Sequence, residues 1–73
     1  MEFREVLALV AKEGERRELL EMAARYHESP VVDRRGGMEE LMRWVGWHFR
    51  ALRRPMPTET ELEAMIERHF GGG

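Results

Sequence analysis

Residues 41–54, LMRWVGWHFRALRR, hold the residue types in this chain that are best suited to binding chemistry. The segment has two Trp, one Phe, one His and four Arg, and it contains no acidic residue. An indole beside guanidinium groups can bind a partner through cation–π and charge-assisted contacts, and Trp and Arg dominate binding hot spots. On a helical wheel at about 100° per residue, Trp47 falls on the polar side, one turn from both Arg43 and Arg50 and adjacent to Arg54. We therefore predict a partner-binding surface formed by Trp47, Arg43, Arg50 and Arg54.

The other side of the same helix is predicted to be buried. Its apolar residues and one histidine fall within roughly half of the wheel: Met38, Leu41, Met42, Trp44, Val45, His48, Phe49, Ala51 and Leu52. An alternative interpretation places Trp47 at the edge of this buried arc, beneath the loop or the first helix, with arginine stems covering the ring. The sequence leaves that choice open. If Trp47 is exposed, the neighbouring Gly46 is expected to let a partner's backbone approach it.

The distribution of charge favours a protein partner over nucleic acid. The formal net charge is -2, and residues 58–73 hold four Glu and one Arg, whereas nucleic-acid-binding domains usually carry a basic excess. We expect a small non-enzymatic adaptor or regulatory protein that binds a protein partner, or a second copy of itself, through protein–protein interaction at Trp47. The alternative is nucleic-acid binding by the same face, with Arg neutralising phosphates and Trp stacking on a base.

Arg43 and His48 have the spacing Arg-x4-His, which resembles the motif of the helical HEPN ribonucleases. The resemblance covers only these six residues, and it implies a dimer that uses the Arg and the His on RNA. In such a site the His acts as acid or base while the Arg holds a phosphate. The two side chains lie about 140° apart on the wheel, so they need a dimer cleft to meet. A HEPN-like ribonuclease is the least favoured alternative.

Other patterns that support catalysis or metal binding are weak. His27, His48 and His69 recur at intervals of 21 residues and are all predicted to point inward. In an up-and-down bundle, however, His48 lies about 15 Å from the level of the other two. The chain has no Cys, and its only serine, Ser29, lies beside a Pro and has no oxyanion loop. We therefore predict no catalytic residue, no metal site and no cofactor, and a protein that is not an enzyme.

The helical spacing of the apolar residues predicts an all-α fold, a compact bundle of three to four short helices. The expected helices cover about 2–13, 15–28, 38–54 and 59–70. One continuous helix in place of the first two is the alternative.

Local signals set the expected ends of these helices. Thr58 and Glu61 form a capping box, which fixes the start of the last helix. Gly14 is expected to end the first helix, and Gly36 with Gly37 to form a turn before the third. In the preceding connection, the two valines at 31 and 32 are expected to close one end of the core.

Size and composition set the remaining expectations. With 73 residues, the chain should form a single helical domain over 1–70 followed by a disordered Gly tail at 71–73. A lone core of this size contributes only about 3–5 kcal/mol of net stability, which predicts a homo-oligomer. The absence of Asn and Gln indicates a thermophile. No apolar run approaches the roughly 20 residues of a membrane span, and the N-terminus lacks the basic region of a signal peptide, so we expect a cytoplasmic protein with no membrane partner.

Overall fold

Four α-helices and one short 3₁₀ helix make up the fold of the 71 residues that the computed structural model describes, 1–71. The helices are α1 (Phe3–Ala8), α2 (Glu13–Glu28), α3 (Arg34–Ala51) and α4 (Glu59–Phe70), with the 3₁₀ turn at Val31–Asp33 between α2 and α3. Within residues 1–71 there is no β-strand. The predicted all-α bundle is therefore confirmed.

The core is one cluster of apolar side chains contributed by every α-helix. α2 packs against α3 and α4, while α1 packs against α2 and α4. The radius of gyration is 11.5 Å, close to the roughly 11 Å expected of a compact chain of this length. The buried side chains are Phe3, Val6, Val10, Leu19, Met22, Ala23, Tyr26, Met38, Leu41, Val45, Phe49, Leu62, Met65 and Ile66.

The first two helices are separate, but their boundary differs from the predicted one. α1 ends at Ala8, and Gly14 lies inside the first turn of α2 without a left-handed conformation. The chain between them is held by Arg16, whose guanidinium donates to the carbonyl oxygen of Val10 at 3.0 and 3.3 Å. The turn is thus stabilised by an arginine side chain rather than by glycine geometry.

α3 begins at Arg34, earlier than predicted, and Gly36 and Gly37 lie within the helix instead of forming a turn. The prediction that Val31 and Val32 close the core is also wrong, because their side chains are 82% and 87% exposed. The 3₁₀ turn directs both valines to solvent. The core at this end is closed by the contacts of Arg34 described below.

The end of α3 is a Schellman motif built on a non-glycine residue. The Arg53 N–H donates to the Arg50 carbonyl at 3.0 Å, and the Arg54 N–H donates to the Phe49 carbonyl at 2.9 Å. Arg53 has φ of 56°, the left-handed conformation that this motif requires and that usually selects Gly. α3 therefore stops at Ala51, and the chain turns away from the helix axis before Arg54.

The capping box at the start of α4 is confirmed. The Thr58 hydroxyl accepts from the Glu61 N–H at 3.1 Å, and the Glu61 carboxylate accepts from the Thr58 N–H at 2.8 Å. The pKa of Glu61 is lowered by the hydrogen bond that its carboxylate accepts from the Thr58 N–H, and also by the Thr58 side chain.

Of the predicted disordered tail, residues 72 and 73 lie outside the described residues. None of the helices described in 1–71 is long and apolar enough to cross a membrane.

Candidate functional site

Trp47 projects from α3 into solvent. Its neighbours Val45 and Phe49 are each two positions away, and both are buried in the core with 1% exposure. A separation of two residues corresponds to about 200° around a helix, so Trp47 must point away from the side that packs. The indole is 65% exposed. The alternative in which Trp47 lies sealed beneath the loop or α1 is therefore wrong.

Beside the indole lies an open groove of about 510 Å³ between α3 and the loop that follows it. Gly46 shapes this groove, because a Cβ at its position would lie 3.0 Å from the Met56 sulfur and 3.2 Å from its methyl carbon. Gly46 therefore accommodates Met56 of the same chain, and not a partner's backbone as expected. The groove is lined by Met42, Arg43, Trp44, Gly46, Trp47, Arg50 and Met56.

The arginines of this region have no acidic partner. Within residues 1–71, no carboxylate lies within 4.0 Å of the guanidinium of Arg43, Arg50, Arg53 or Arg54, and none of these side chains donates a hydrogen bond. Residues 41–57 contain no acidic residue. The groove is therefore bordered by positive charge that no carboxylate of residues 1–71 pairs.

The structure brings together three of the four residues predicted for this surface. Trp47, Arg43 and Arg50 line the same groove, whereas Arg54 does not. Arg54 was placed beside Trp47 on the assumption that α3 continues, but the left-handed turn at Arg53 ends the helix first. Met56 lines the groove as well. Helical periodicity did not predict this, because the position of Met56 depends on the turn after α3.

His48 lies beneath the two indoles. Its ring centroid is 5.5 Å from that of Trp44 and 5.5 Å from that of Trp47. Its Nε2 atom is buried without a hydrogen bond, 4.0 Å from the Glu15 carboxylate of α2. Arg43, in contrast, is exposed at the groove. Within one chain the two residues of the HEPN-like spacing therefore face different surroundings and form no joint site.

The remaining histidines lie at the other end of the molecule. The His27 ring stacks on Phe70 with centroids 5.7 Å apart, and its Nδ1 is 3.5 Å from the Glu67 carboxylate. His69 packs its ring edge on Phe3 but is exposed, so the prediction that it points inward is wrong. In the described part of the chain, no three His, Cys, Asp or Glu side chains are grouped as a metal site requires.

A second arginine–aromatic cluster, missed in the sequence, lies where α2, α3 and α4 meet. We call it the Arg34 corner, and it consists of Tyr26, His27, Arg34, Glu63 and Glu67. The Arg34 guanidinium donates to the His27 carbonyl at 2.7 Å and to the Glu67 carboxylate at 3.3 Å. It also donates to the carbonyl oxygen of Ser29, the residue after α2, at 3.1 Å. Arg34 thus caps the C-terminus of α2 and ties it to α4.

Tyr26 forms the floor of the Arg34 corner. The Arg34 guanidinium lies 5.2 Å above its ring, and the Tyr26 hydroxyl donates to the Glu63 carboxylate at 2.9 Å. Burial, followed by the hydrogen bond to the Glu63 carboxylate, raises the pKa of Tyr26 to about 12. The Tyr26 hydroxyl and the Arg34 guanidinium thus donate within the chain, whereas the His27 Nδ1 atom is buried without a hydrogen bond. The Arg34 corner therefore holds α2, α3 and α4 together as a structural feature.

Comparisons with known proteins leave this geometry as the only guide to function. No family model matches the chain, and no curated protein or solved structure matches it. The Arg-x4-His spacing at Arg43 and His48 therefore stands without a supporting family match.

Proposed function

We propose that this chain is a small non-enzymatic adaptor or regulatory protein that binds a protein partner through the surface of Trp47, Arg43 and Arg50. The observation that carries the proposal is a Trp that is 65% exposed beside two guanidinium groups that no carboxylate in the described part of the chain pairs. A single exposed apolar residue is ordinary. An exposed Trp flanked by free arginines, above an apolar groove, combines the residue types that anchor protein interfaces.

The expected source of affinity is burial of the indole. Moving a large aromatic side chain out of water contributes about 1.5–3 kcal/mol. Cation–π contact with arginine adds about 0.5–2 kcal/mol where solvent is excluded. Trp47 also has few side-chain torsions to immobilise, which keeps the entropic cost of binding low. One residue can therefore supply much of the energy of a weak, regulatory interaction.

A second copy of the chain is a poorer occupant of this surface than a different protein. In a two-fold symmetric dimer the same patch meets itself. Arg43 and Arg50 of one copy would then lie close to arginines of the other, and like charges across an interface are unfavourable. The expected homo-oligomer remains a prediction and would use another face.

Capture from a lysate of the native host, with the wild-type protein and Trp47→Ala immobilised in parallel, tests the proposal. We expect at least one protein that the wild type retains and the variant does not, and whose retention survives nuclease treatment. Val32→Ala is the matched control, since it truncates an apolar side chain that is 87% exposed and distant in sequence from the groove. Retention that nuclease abolishes would indicate nucleic-acid binding instead. Equal retention by wild type and Trp47→Ala would exclude this surface.

The same variant must remain folded for that test to be interpreted. Because most of the indole is already in solvent, Trp47→Ala should change the free energy of unfolding by less than about 1 kcal/mol. Thermal unfolding followed by circular dichroism measures this directly. A loss of several kcal/mol would show that Trp47 supports the core rather than a partner.

A further inference from the structure

We infer that the partner segment is an acidic peptide in which one large apolar side chain lies between two carboxylates. This inference rests on the proposed function, and it assigns a chemical class to the occupant of the groove. It is drawn from the spacing of the charges, the lining of the groove and the extent of the positive surface.

The spacing of the two groove arginines sets the spacing of the acids. Arg43 and Arg50 are seven residues apart on one helix, which places their Cα atoms about 10 Å apart along its axis. Both side chains are exposed and unpaired among the described residues. Carboxylates at a matching distance lie seven residues apart in a helical peptide, or about three apart in an extended one. Guanidinium groups bind carboxylates through paired hydrogen bonds, so two carboxylates at this spacing can bind both arginines at once.

The lining of the groove requires an apolar side chain between those acids. The side chains of Met42, Trp44 and Met56 line it, and Trp47 lies beside them. Its volume of about 510 Å³ is enough for one large side chain with part of its backbone. Methionine is unbranched and adapts to the shape of what it contacts. The groove therefore suits an aromatic or long aliphatic anchor without demanding one particular residue.

The limited extent of the positive surface distinguishes a short peptide from a polyanion. Met56 also lines the neighbouring groove, which contains Glu61 and Arg68. Arg68 is paired with the Glu2 carboxylate at 2.7 Å, which leaves the charge of Glu61 unpaired by it. A glutamate carboxylate is ionised at neutral pH, and the hydrogen bonds with Thr58 lower the pKa of Glu61 further. A nucleic-acid strand or an anionic membrane extending past Met56 would meet this negative charge. The unpaired arginines of this region, Arg43, Arg50, Arg53 and Arg54, are also fewer than the roughly 6–10 phosphate contacts of a strongly salt-dependent nucleic-acid complex.

Selection from a displayed library of random 12-residue peptides tests the inference. The wild-type protein is the target, and Trp47→Ala serves for counter-selection. We expect enriched peptides to carry Asp or Glu on both sides of a Trp, Phe, Leu or Met. Synthetic versions of these peptides should bind wild type, and Trp47→Ala should weaken them at least about tenfold.

Charge reversal then tests the role of the two arginines. Arg43→Glu and Arg50→Glu should each weaken an enriched peptide about tenfold or more, because a contact becomes repulsive. Arg35→Glu is the matched control, since it reverses an 82% exposed side chain in the first turn of the same helix, and it should change affinity less than about twofold. A peptide whose acids are replaced by Lys should recover binding to the Arg43→Glu, Arg50→Glu double variant. Equal effects of Arg35→Glu and Arg43→Glu would contradict the assignment.

The outcomes separate failure of this inference from failure of the proposed function. Enriched peptides that depend on Trp47 but show no acidic residues would overturn the acidic partner and leave the adaptor role intact. Failure to enrich any Trp47-dependent peptide would also overturn the inference, while Trp47-dependent capture of a lysate protein would still support the function. Tighter, Trp47-dependent binding of an oligothymidylate strand, or of phosphatidylserine vesicles, would assign the surface to a different partner class.

Discussion

Two regions of this molecule combine arginine with aromatic side chains, and they differ in whether the described residues pair the guanidinium groups. In the Arg34 corner the guanidinium lies over Tyr26 and donates to backbone carbonyls and to Glu67, with 25% of its side chain exposed. At the groove, Arg43 and Arg50 border Trp47 and donate to no residue in the described part of the chain. The difference is the supply of acceptors. Glu63 accepts from Tyr26 and Glu67 accepts from Arg34 in the corner. At the groove, no carboxylate of the described residues lies within 4.0 Å of either arginine.

This comparison separates a structural use of arginine from a surface left available for binding. A buried or half-buried guanidinium must have its donors satisfied, because unsatisfied polar groups are costly away from water. An exposed guanidinium without a protein acceptor costs little free energy, because water solvates it. Residue type alone therefore does not identify a binding arginine. What identifies it is whether the surrounding residues supply acceptors for its guanidinium group.

The largest expected effect is loss of the Arg34 corner. Arg34→Ala removes three kinds of contact at once: the cap on α2, the ion pair to Glu67 and the stacking on Tyr26. It also leaves carbonyl oxygens at the end of α2 without a donor. We expect the free energy of unfolding to fall by about 2–4 kcal/mol, measured by urea denaturation.

Arg35→Ala is the matched control for that change. Arg35 is the next residue in α3 and is 82% exposed, with only a 3.8 Å contact to Glu39. Its truncation should cost less than about 0.5 kcal/mol. Equal costs for the two variants would mean that the Arg34 corner is not a structural feature, and the comparison with the groove would break down.

The Tyr26 hydroxyl should make stability fall at alkaline pH. Its pKa is raised from 10.0 to about 12 by burial and by the Glu63 carboxylate, so the folded state holds the proton more tightly than the unfolded state. The resulting stability is complete below pH 10 and is lost as pH rises towards 12. A shift of two pKa units corresponds to about 2–3 kcal/mol.

Tyr26→Phe isolates this contribution. At neutral pH it should cost only about 1 kcal/mol, the value of one hydrogen bond. Its stability should then decline less than that of the wild type between pH 10 and 12, as measured by urea denaturation at each pH. Parallel declines in both proteins would show that the Tyr26 hydroxyl does not hold its proton more tightly in the folded state than in the unfolded state.

A smaller effect is expected where the groove is shaped, at Arg53. Its φ of 56° is strained for a residue with a side chain, and glycine adopts it freely. Arg53→Gly should therefore raise the free energy of unfolding by about 0.5–1 kcal/mol. Because the turn and Met56 stay in place, peptide affinity at the groove should change less than about twofold. Destabilisation would mean that the Arg53 side chain has a structural contact that outweighs the relief of strain.

Periodicity and local capping predicted most of the fold. The buried stripe of α3, including Leu41, Val45 and Phe49, follows from helical spacing alone. The capping box of α4 needs only four consecutive residues, so the local sequence is enough to predict it. Exposure of Trp47 follows from the same wheel, once α3 is known to pack on one side only.

The errors fall where distant residues decide the local structure. Gly36 and Gly37 suggested a turn, but α3 begins before them at Arg34, whose side chain binds the end of α2 and also Glu67 of α4, 33 residues away. The predicted end of α3 near residue 54 is also wrong, because Arg53 adopts the left-handed cap conformation that usually marks a Gly. Met56 and the Arg34 corner were missed for the same reason: both depend on tertiary contacts rather than on spacing.

Selective fluorescence quenching of Trp47 tests the central claim most directly. Trp44→Phe leaves Trp47 as the only indole, and Trp47→Phe leaves Trp44 as the only one. His48 lies beside both rings, so its effect on fluorescence applies to both indoles and does not explain a difference between them. For Trp47 we predict red-shifted emission, strong quenching by iodide and weaker quenching by caesium, because unpaired guanidinium groups attract the anion. Blue-shifted emission from Trp47, with little quenching by either ion, would contradict the account, as would equal quenching by the two.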